Sequence, residues 1–191
     1  MTDVSVRISQ ADEDDVTGLA RLLWRDTLDE EPASTSADAF AVDVGQWWTA
    51  HRHTHVAYVA RLRTPEIVGM AWVALLPRVP RPGATGRFSA DLQSVFVLPE
   101  HRGQGIGSAL VEAASEHATR LGAARVTVHS GRRAVPVYER LSFESSRQLL
   151  CRPARRLAVP PDGEPFLEPD RSARVASRSA GSARPDGHER P

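Results

Sequence analysis

The sequence predicts an α/β fold with one domain and a C-terminal extension. Short apolar or alternating runs, which are typical of strands, separate longer stretches with helical periodicity, and a glycine-rich turn joins one strand to a helix. The chain has 191 residues, of which 41% are hydrophobic, enough for a normal core. We place the domain at residues 3–152. Residues 153–191 lack periodicity and are rich in Ser, Ala, Arg, Gly and Pro, so we expect them to be disordered.

The first half of the domain is predicted to contain two helices and three strands. Residues 4–8 alternate and indicate a strand. Residues 12–23 indicate a helix, because an acidic first turn precedes apolar residues that share one face. Residues 37–49 indicate a weaker second helix. The apolar runs at 55–61 and 67–76 predict strands on either side of a turn that contains proline.

The second half continues with strands and helices in alternation. A strand at 92–98 follows a loop rich in proline and glycine. Residues 105–121 form the best helix, with a glycine as its stop. A strand at 125–129 precedes a short helix at 136–141, which has proline in its first turn. We expect residues 143–151 to contribute the last strand.

Composition excludes several classes of function. The formal net charge is zero, which predicts no strong attraction to nucleic acid or to a membrane surface. All 24 basic residues are arginine, so no lysine nucleophile or Schiff base is available. No run of about 18 apolar residues predicts a membrane span. The N-terminus is polar and acidic, unlike a signal peptide, and we expect a cytoplasmic protein.

Cysteine and histidine spacing predicts no metal site. The single cysteine, Cys151, cannot form an internal disulfide, and no Cys/His spacing typical of zinc sites occurs. His51, His53 and His55 alternate at the junction of a helix and a strand. They have no acidic or cysteine neighbours, so we interpret them as a solvated strand start.

The most informative stretch is residues 95–110. An apolar strand ends at Pro99, a turn contains Gly103, Gly105 and Gly107, and a helix follows. Glycine permits positive φ and close approach of a ligand to the backbone. The first N–H groups of the helix lie at the positive end of its dipole, where phosphate binds well. This order therefore predicts a phosphate-binding turn.

Two common phosphate motifs do not fit this turn. A P-loop requires a lysine after the glycines, and none is present. A dinucleotide fingerprint requires Gly-x-Gly-x-x-Gly and an acidic residue roughly 20 positions later, but the corresponding residues 123–126 contain no acid. The segment Arg102-Gly103-Gln104-Gly105-Ile106-Gly107 instead resembles the Arg/Gln-x-x-Gly-x-Gly/Ala signature of the GNAT superfamily, the acyl-CoA-dependent N-acyltransferases.

The resemblance extends to both sides of the turn. Residues 95–101 resemble the fourth strand of the family and its Pro-Glu exit, and residues 134–143 resemble its Tyr-Glu-Arg/Lys-Leu-Gly-Phe segment. Two positions depart from the pattern. Gly131 stands where the family often has asparagine, and Ser142 replaces the glycine before Phe143.

This resemblance implies a fold and an activity. The expected fold is a mixed, mostly antiparallel sheet of six or seven strands with helices on both faces. The expected reaction is direct transfer of an acetyl group from acetyl-CoA, the co-substrate, to a primary amine in a ternary complex. The acceptor is a small molecule or a peptide, and the family allows a homodimer. The alternative is a non-catalytic acyl-CoA-binding or regulatory module. A nicotinamide-dependent enzyme is not expected, because the dinucleotide fingerprint does not fit.

The resemblance also implies roles for particular residues. Tyr138 is the expected general acid that protonates the departing thiolate, and its alternative role is packing alone. The general base is less well specified, with Asp91 and His129 as the two candidates. The residues expected to bind acyl-CoA are Val95, Phe96, Val97, Arg102, Gly103, Gln104, Gly105, Ile106, Gly107 and Ser108.

The acceptor pocket of the family lies between the first two helices and the splayed strands. In this chain that region contains Trp24, Asp26, Asp29, Glu30, Glu31, Trp47 and Trp48. Acids beside aromatic rings could hold a cationic amine. The alternative, a solvated acidic loop with two core tryptophans, stays open at this point.

Overall fold

The computed structural model describes residues 6–27, 36–62, 66–146 and 149–151. The described residues contain one mixed sheet with strand order β1-β2-β3-β4-β5. The first four strands pair antiparallel, and β4 pairs parallel with β5. The strands are β1 (Arg7–Gln10), β2 (His55–Arg61), β3 (Ile67–Pro77), β4 (Phe88–Val97) and β5 (Val126–Val128).

Four α-helices accompany the sheet in this part of the chain: α1 (Val16–Thr27), α2 (Ala37–His51), α3 (Ile106–Arg120) and α4 (Val135–Arg140). Single 3₁₀ turns precede α1 and follow β4, at Glu13–Asp15 and Pro99–His101. A side-chain cap marks the start of α2. Ser36 accepts a hydrogen bond from the N–H of Ala39 at the start of α2. Among the described helices, none combines the length and apolarity needed to cross a membrane.

The helices cover both faces of the sheet. Trp72 on β3 packs against Trp48 of α2, with 5.3 Å between ring centroids. Tyr58 on β2 is paired with Ala71, the neighbour of Trp72, and its hydroxyl lies 3.1 Å from Nδ1 of His117 on α3. Because adjacent residues of a strand point to opposite faces, α2 and α3 lie on opposite sides of the sheet.

The sheet has five strands in the described residues, so the expected count of six or seven is wrong. The predicted strand at 143–151 does not form within residues 143–146 and 149–151. Residues 144–148 are all polar and show no alternation that could bury one face of a strand. Phe143 instead packs against Tyr138, with 5.5 Å between their ring centroids.

The chain divides into a unit of residues Met1–Ser145 and a unit of residues Ser146–Pro191. The structure describes the second unit only at Ser146 and at residues 149–151, so the disorder expected for 153–191 lies outside the described residues.

The observed helices and strands otherwise differ from the predicted ones mainly at their ends. For example, β4 begins at Phe88 rather than at residue 92, because its first residues pair with the end of β3.

A buried ion pair ties the start of α1 to the sheet. Asp15 is 6% exposed, and its carboxylate accepts a hydrogen bond from the Arg61 guanidinium of β2. Asp15 also accepts from the N–H of Asp12 at 3.0 Å, while Asp12 accepts from the N–H of Asp14, so the turn is a capping box. This arrangement fixes where α1 begins relative to β1 and β2.

We predict that Asp15→Ala lowers the free energy of unfolding by about 3 kcal/mol, because it leaves the partly buried Arg61 without its partner. Urea denaturation followed by far-UV circular dichroism measures the change. Glu13→Ala is the matched control, since Glu13 lies in the same turn but pairs with Arg52 at the surface. Its loss should stay below about 1 kcal/mol. Equal losses in the two variants would contradict a stabilising role for the buried pair.

Candidate active site

The site is built around an irregularity in β4. Ser94 pairs with Trp72 of β3, and Leu92 pairs with the next residue, Val73, so Gln93 is an extra residue on β4. An extra residue of this kind is a β-bulge, which bends the strand and increases its twist. On its other side β4 pairs with β5 only at the three residues that end at Leu92. Beyond the bulge, β4 therefore diverges from β5.

Within the described residues, this divergence leaves backbone polar groups of β4 without a neighbouring strand. The N–H of Leu98 donates to the carbonyl of Val68 on β3 at 2.9 Å. Because backbone groups alternate in direction along an antiparallel strand, those of Val95 and Val97 point to the side that β5 has left. The Val97 carbonyl accepts a hydrogen bond from Nε of Arg102 at 2.8 Å. The peptide groups of Val95 can therefore bind an extended ligand in the manner of an added strand.

The glycine turn closes the end of this opening. Gly103 and Gly105 have φ values of 75° and 79°, and Gly105 is the N-cap of α3. A Cβ at either position would meet no atom within 4 Å, so the backbone conformation, not lack of space, favours glycine here. The first N–H groups of α3 follow directly. They present an anion-binding helix terminus at the end of the diverging strand.

A cleft of about 440 Å³ lies between these elements. Its walls are formed by the end of β4 (Val95, Phe96 and Val97), the glycine turn, the first residues of α3, and residues of α4. The structure brings together nine of the ten residues predicted to bind acyl-CoA, all except Gln104, and adds Tyr138. The members of this set that line the cleft are Val95, Phe96, Val97, Arg102, Gly103, Gly105, Ile106, Gly107, Ser108 and Tyr138.

Tyr138 is half-buried in the wall of this cleft, where it lies on α4 and packs against Phe143. Burial raises the pKa of the Tyr138 phenol above its ordinary value of 10.0, because the charged phenolate is poorly solvated there. At neutral pH the group therefore carries its proton. A protonated phenol in this position is able to donate a hydrogen bond or a proton to a ligand atom in the cleft.

The two predicted candidates for the general base do not line the cleft. Asp91 lies on β4 before the bulge and accepts a hydrogen bond from the hydroxyl of Thr127 at 2.8 Å. His129 is exposed directly after β5. A different carboxylate lines the cleft: Asp26, in the last turn of α1. It accepts a hydrogen bond from the hydroxyl of Ser94, the residue that follows the bulge, at 3.1 Å.

A second cavity, of about 390 Å³, lies on the α1 and α2 side of the bulge, and we call it the apolar cavity. Its lining residues come from both helices, β3 and β4: Leu23, Phe40, Asp43, Val44, Trp47, Trp72, Gln93 and Ser94. Ser94 also bonds to Asp26 of the cleft, so the two spaces are adjacent. The indole N–H of Trp72 is buried and has no hydrogen-bond partner among the described residues.

The residues predicted for the acceptor pocket lie in different places. Trp47 lines it, and Asp26 lines the neighbouring cleft. Trp48 is 5% exposed and belongs to the core, and Trp24 packs against Phe40 with 5.6 Å between ring centroids. The predicted residues 29–31 lie outside the described residues. Asp43 and Phe40 are additional lining residues that the sequence analysis did not identify.

Two of the alternating histidines pack behind Trp47. The His51 ring stacks on Trp47 with 4.5 Å between centroids, and the His55 ring meets the indole edge-on at 4.8 Å. The Nδ1 of His55 also lies 2.9 Å from the hydroxyl of Thr54. Burial, and then the nearby His51, lower the pKa of His55 below its ordinary value of 6.5. His55 is therefore neutral at physiological pH and half-buried rather than a solvated strand start.

The fold and the cleft define a class of protein: an α/β domain with a diverging strand and a glycine turn that can bind an extended, phosphate-containing ligand. Residues 16–143 match the acetyltransferase (GNAT) family. The chain therefore belongs to this family of transferases, as the resemblance of the glycine turn predicted.

Individual relatives support the same assignment. Glucosamine 6-phosphate N-acetyltransferase from Trypanosoma brucei brucei is 33% identical over 82 residues, which are 43% of this chain and 54% of that enzyme. The chain thus spans about half the length of the curated relative that it matches.

Solved structures share the fold. A predicted acetyltransferase from Clostridium acetobutylicum, solved with acetyl-CoA, superposes with a TM-score of 0.63 at 16% identity, covering 78% of this chain and 96% of that one. A transcriptional regulator from Bacillus halodurans C-125 superposes with a TM-score of 0.62 at 27% identity, covering 78% of this chain and all of the other (100%).

Proposed function

We propose that this protein is an acetyl-CoA-dependent N-acetyltransferase that moves an acetyl group directly to a primary amine. The observation that carries the proposal is the cleft in which the free edge of β4 leads to a turn with two positive-φ glycines. Such an edge suits the amide groups of a pantetheine arm, and such a turn suits a pyrophosphate. The Clostridium acetobutylicum relative with this fold was solved with acetyl-CoA.

The geometry of the described residues supports the following proposed binding roles. Val95 presents backbone groups toward the opening for the pantetheine amides. The N–H groups from Gly103 to Ser108 surround the expected pyrophosphate position, and the Arg102 guanidinium adds positive charge beside it. Arg102 is held in place by its bond to the Val97 carbonyl and by its position over the Phe96 ring, 5.4 Å from the centroid.

The reaction requires two proton transfers. The amine nitrogen forms a bond to the thioester carbonyl carbon, and the C–S bond breaks, which gives an N-acetyl amide and CoA. The amine loses one proton to a base, and the thiolate gains one from an acid. Tyr138 is the proposed acid, because it lines the cleft and is protonated at neutral pH. A polarised carbonyl oxygen would accept hydrogen bonds from backbone N–H groups of the β4 edge.

The proposed base is one of three residues. Asp91 and His129 stay candidates from the sequence, although each would need water to relay the proton from the cleft. Asp26 is a third candidate, since it lines the cleft beside Ser94 and the apolar cavity. A regulatory role without catalysis is the second candidate function, because a relative with the same fold is described as a transcriptional regulator.

We predict that Gly105→Glu weakens acetyl-CoA binding at least about tenfold, because it puts a carboxylate where the phosphates bind. Isothermal titration calorimetry measures the dissociation constant. Gly122→Glu is the matched control. Gly122, at the other end of α3, has φ of 88°, and a Cβ there would also meet open space, so the backbone strain is similar while the cleft is untouched. Equal weakening in both variants would argue against phosphate binding at the turn.

We expect Tyr138→Phe to lower kcat about 100-fold and to leave the dissociation constant of acetyl-CoA unchanged, because the ring remains and the acidic proton is lost. Release of the CoA thiol during turnover measures the rate. A variant with normal kcat would remove Tyr138 from the mechanism and leave it a packing role. Acetyl-CoA binding without turnover of any amine by the wild type would favour the regulatory alternative.

The base is identified by comparing Asp26→Asn, Asp91→Asn and His129→Gln. We expect Asp26→Asn to lower kcat most, by about 100-fold, because its carboxylate is the nearest to the cleft of the three groups. A larger loss in either of the other variants, with a nearly normal kcat for Asp26→Asn, would assign the base to that residue instead.

A further inference from the structure

The chemistry of the apolar cavity indicates what kind of amine it accepts. Its walls contain two tryptophans, a phenylalanine, a leucine and a valine, together with the polar residues Gln93 and Ser94 of β4 at the bulge. Trp47 is 42% exposed, although its other side is stacked on His51. An indole that is supported on one side and open on the other is a preformed surface for an apolar or aromatic group.

The charges around this cavity differ from those of the acyl-CoA cleft. Among the described residues, eight line the cavity; none of these is cationic, and one, Asp43, is an acid. His55, which packs behind Trp47, has a pKa lowered by burial and carries no charge at neutral pH. The cationic side chains Arg102 and Arg140 line the acyl-CoA cleft instead.

This distribution is unfavourable for a phosphorylated acceptor. A phosphate monoester carries close to two negative charges at neutral pH and is normally bound by arginine, lysine or a helix N-terminus. The described wall of the apolar cavity offers none of these, and Asp43 would repel the phosphate. The same cavity favours a protonated amine with an apolar body, because aromatic surface and carboxylates both attract such a ligand.

The position of Ser94 orients such an amine. Ser94 lines the apolar cavity, and its hydroxyl donates to Asp26, which lines the cleft. A ligand whose body lies against Trp47 and Trp72 would therefore present its nitrogen at the Ser94–Asp26 contact. Beyond this contact lies the β4 edge at Val95, where the proposed thioester would be bound.

We propose that the acceptor is a primary amine attached by a short linker to an aromatic or branched aliphatic body, and that it is not a phosphorylated amino sugar. This inference rests on the proposed N-acetyltransferase function and assigns its substrate class. It differs from the substrate in the name of the Trypanosoma brucei brucei relative, glucosamine 6-phosphate. The transferred group and the two proton transfers are those of the proposed reaction.

The test measures kcat/KM with acetyl-CoA for 2-phenylethylamine, isopentylamine, glucosamine and glucosamine 6-phosphate. We expect the two apolar amines to exceed both sugars at least about tenfold. Trp47→Ala should raise KM for 2-phenylethylamine about tenfold at unchanged kcat, and Trp47→Phe should restore it, because the ring supplies contact area and no chemistry. Val42→Ala is the matched control, since Val42 is exposed on the same helix and does not line the cavity.

The outcomes separate the two proposals. Preference for the apolar amines, with the effect confined to Trp47→Ala, supports the substrate class. Glucosamine 6-phosphate as the best acceptor, or equal effects of Trp47→Ala and Val42→Ala, overturns the substrate class and leaves the N-acetyltransferase function standing. Binding of acetyl-CoA with no acetylation of any amine in the panel overturns both.

Discussion

The arrangement of the site depends on one constraint: β4 must stay paired with β3 on one side while it separates from β5 on the other. The pairing with β3 continues to Val97, and the pairing with β5 ends at Leu92. The bulge at Gln93 lies between these two regions and bends the strand. A straight β4 paired with β5 along its length would satisfy its backbone internally and leave no edge for a ligand.

The close packing of α3 on β3 stabilises β4 where it separates from β5. A Cβ at Gly69 would lie 3.0 Å from Leu110 of α3 and 3.2 Å from the Phe96 carbonyl, so glycine permits helix and sheet to approach closely there. Leu110 is fully buried beneath the diverging strand. Beyond the bulge, the described residues of β4 have no hydrogen bonds to β5. The close apolar packing of α3 on the sheet holds the strand in place instead.

The sequence predicted the parts of the site that are contiguous. Residues 95–108 contain the strand, the turn and the helix start in order, and φ preferences and helix termini are local properties that a glycine pattern reveals. Tyr138 was predicted from a second local segment, residues 134–143.

The position of the bulge at Gln93 could not be predicted, because a register shift depends on the partner strand. Asp26 was named for the acceptor pocket, but its contact with Ser94 joins residues 68 positions apart, and no local pattern indicates such a contact. The predicted strand at 143–151 is a different case: it does not form within the described residues of that segment, and the expected count of six or seven strands rested on that prediction together with the family resemblance.

This difference between contiguous and distant residues has a functional consequence. The cleft that we propose binds acyl-CoA is built mainly from one segment and from backbone groups, which any sequence with the same turn can supply. The apolar cavity is built from side chains of α1, α2, β3 and β4, and its chemistry depends on which residues those elements carry. If the apolar cavity binds the acceptor, as we propose, substitutions on α2 change the acceptor that fits while β4 and the glycine turn keep their geometry. A charge reversal at Asp43 to arginine should move preference toward anionic acceptors without altering the affinity for acetyl-CoA, because Asp43 lines the apolar cavity and not the cleft.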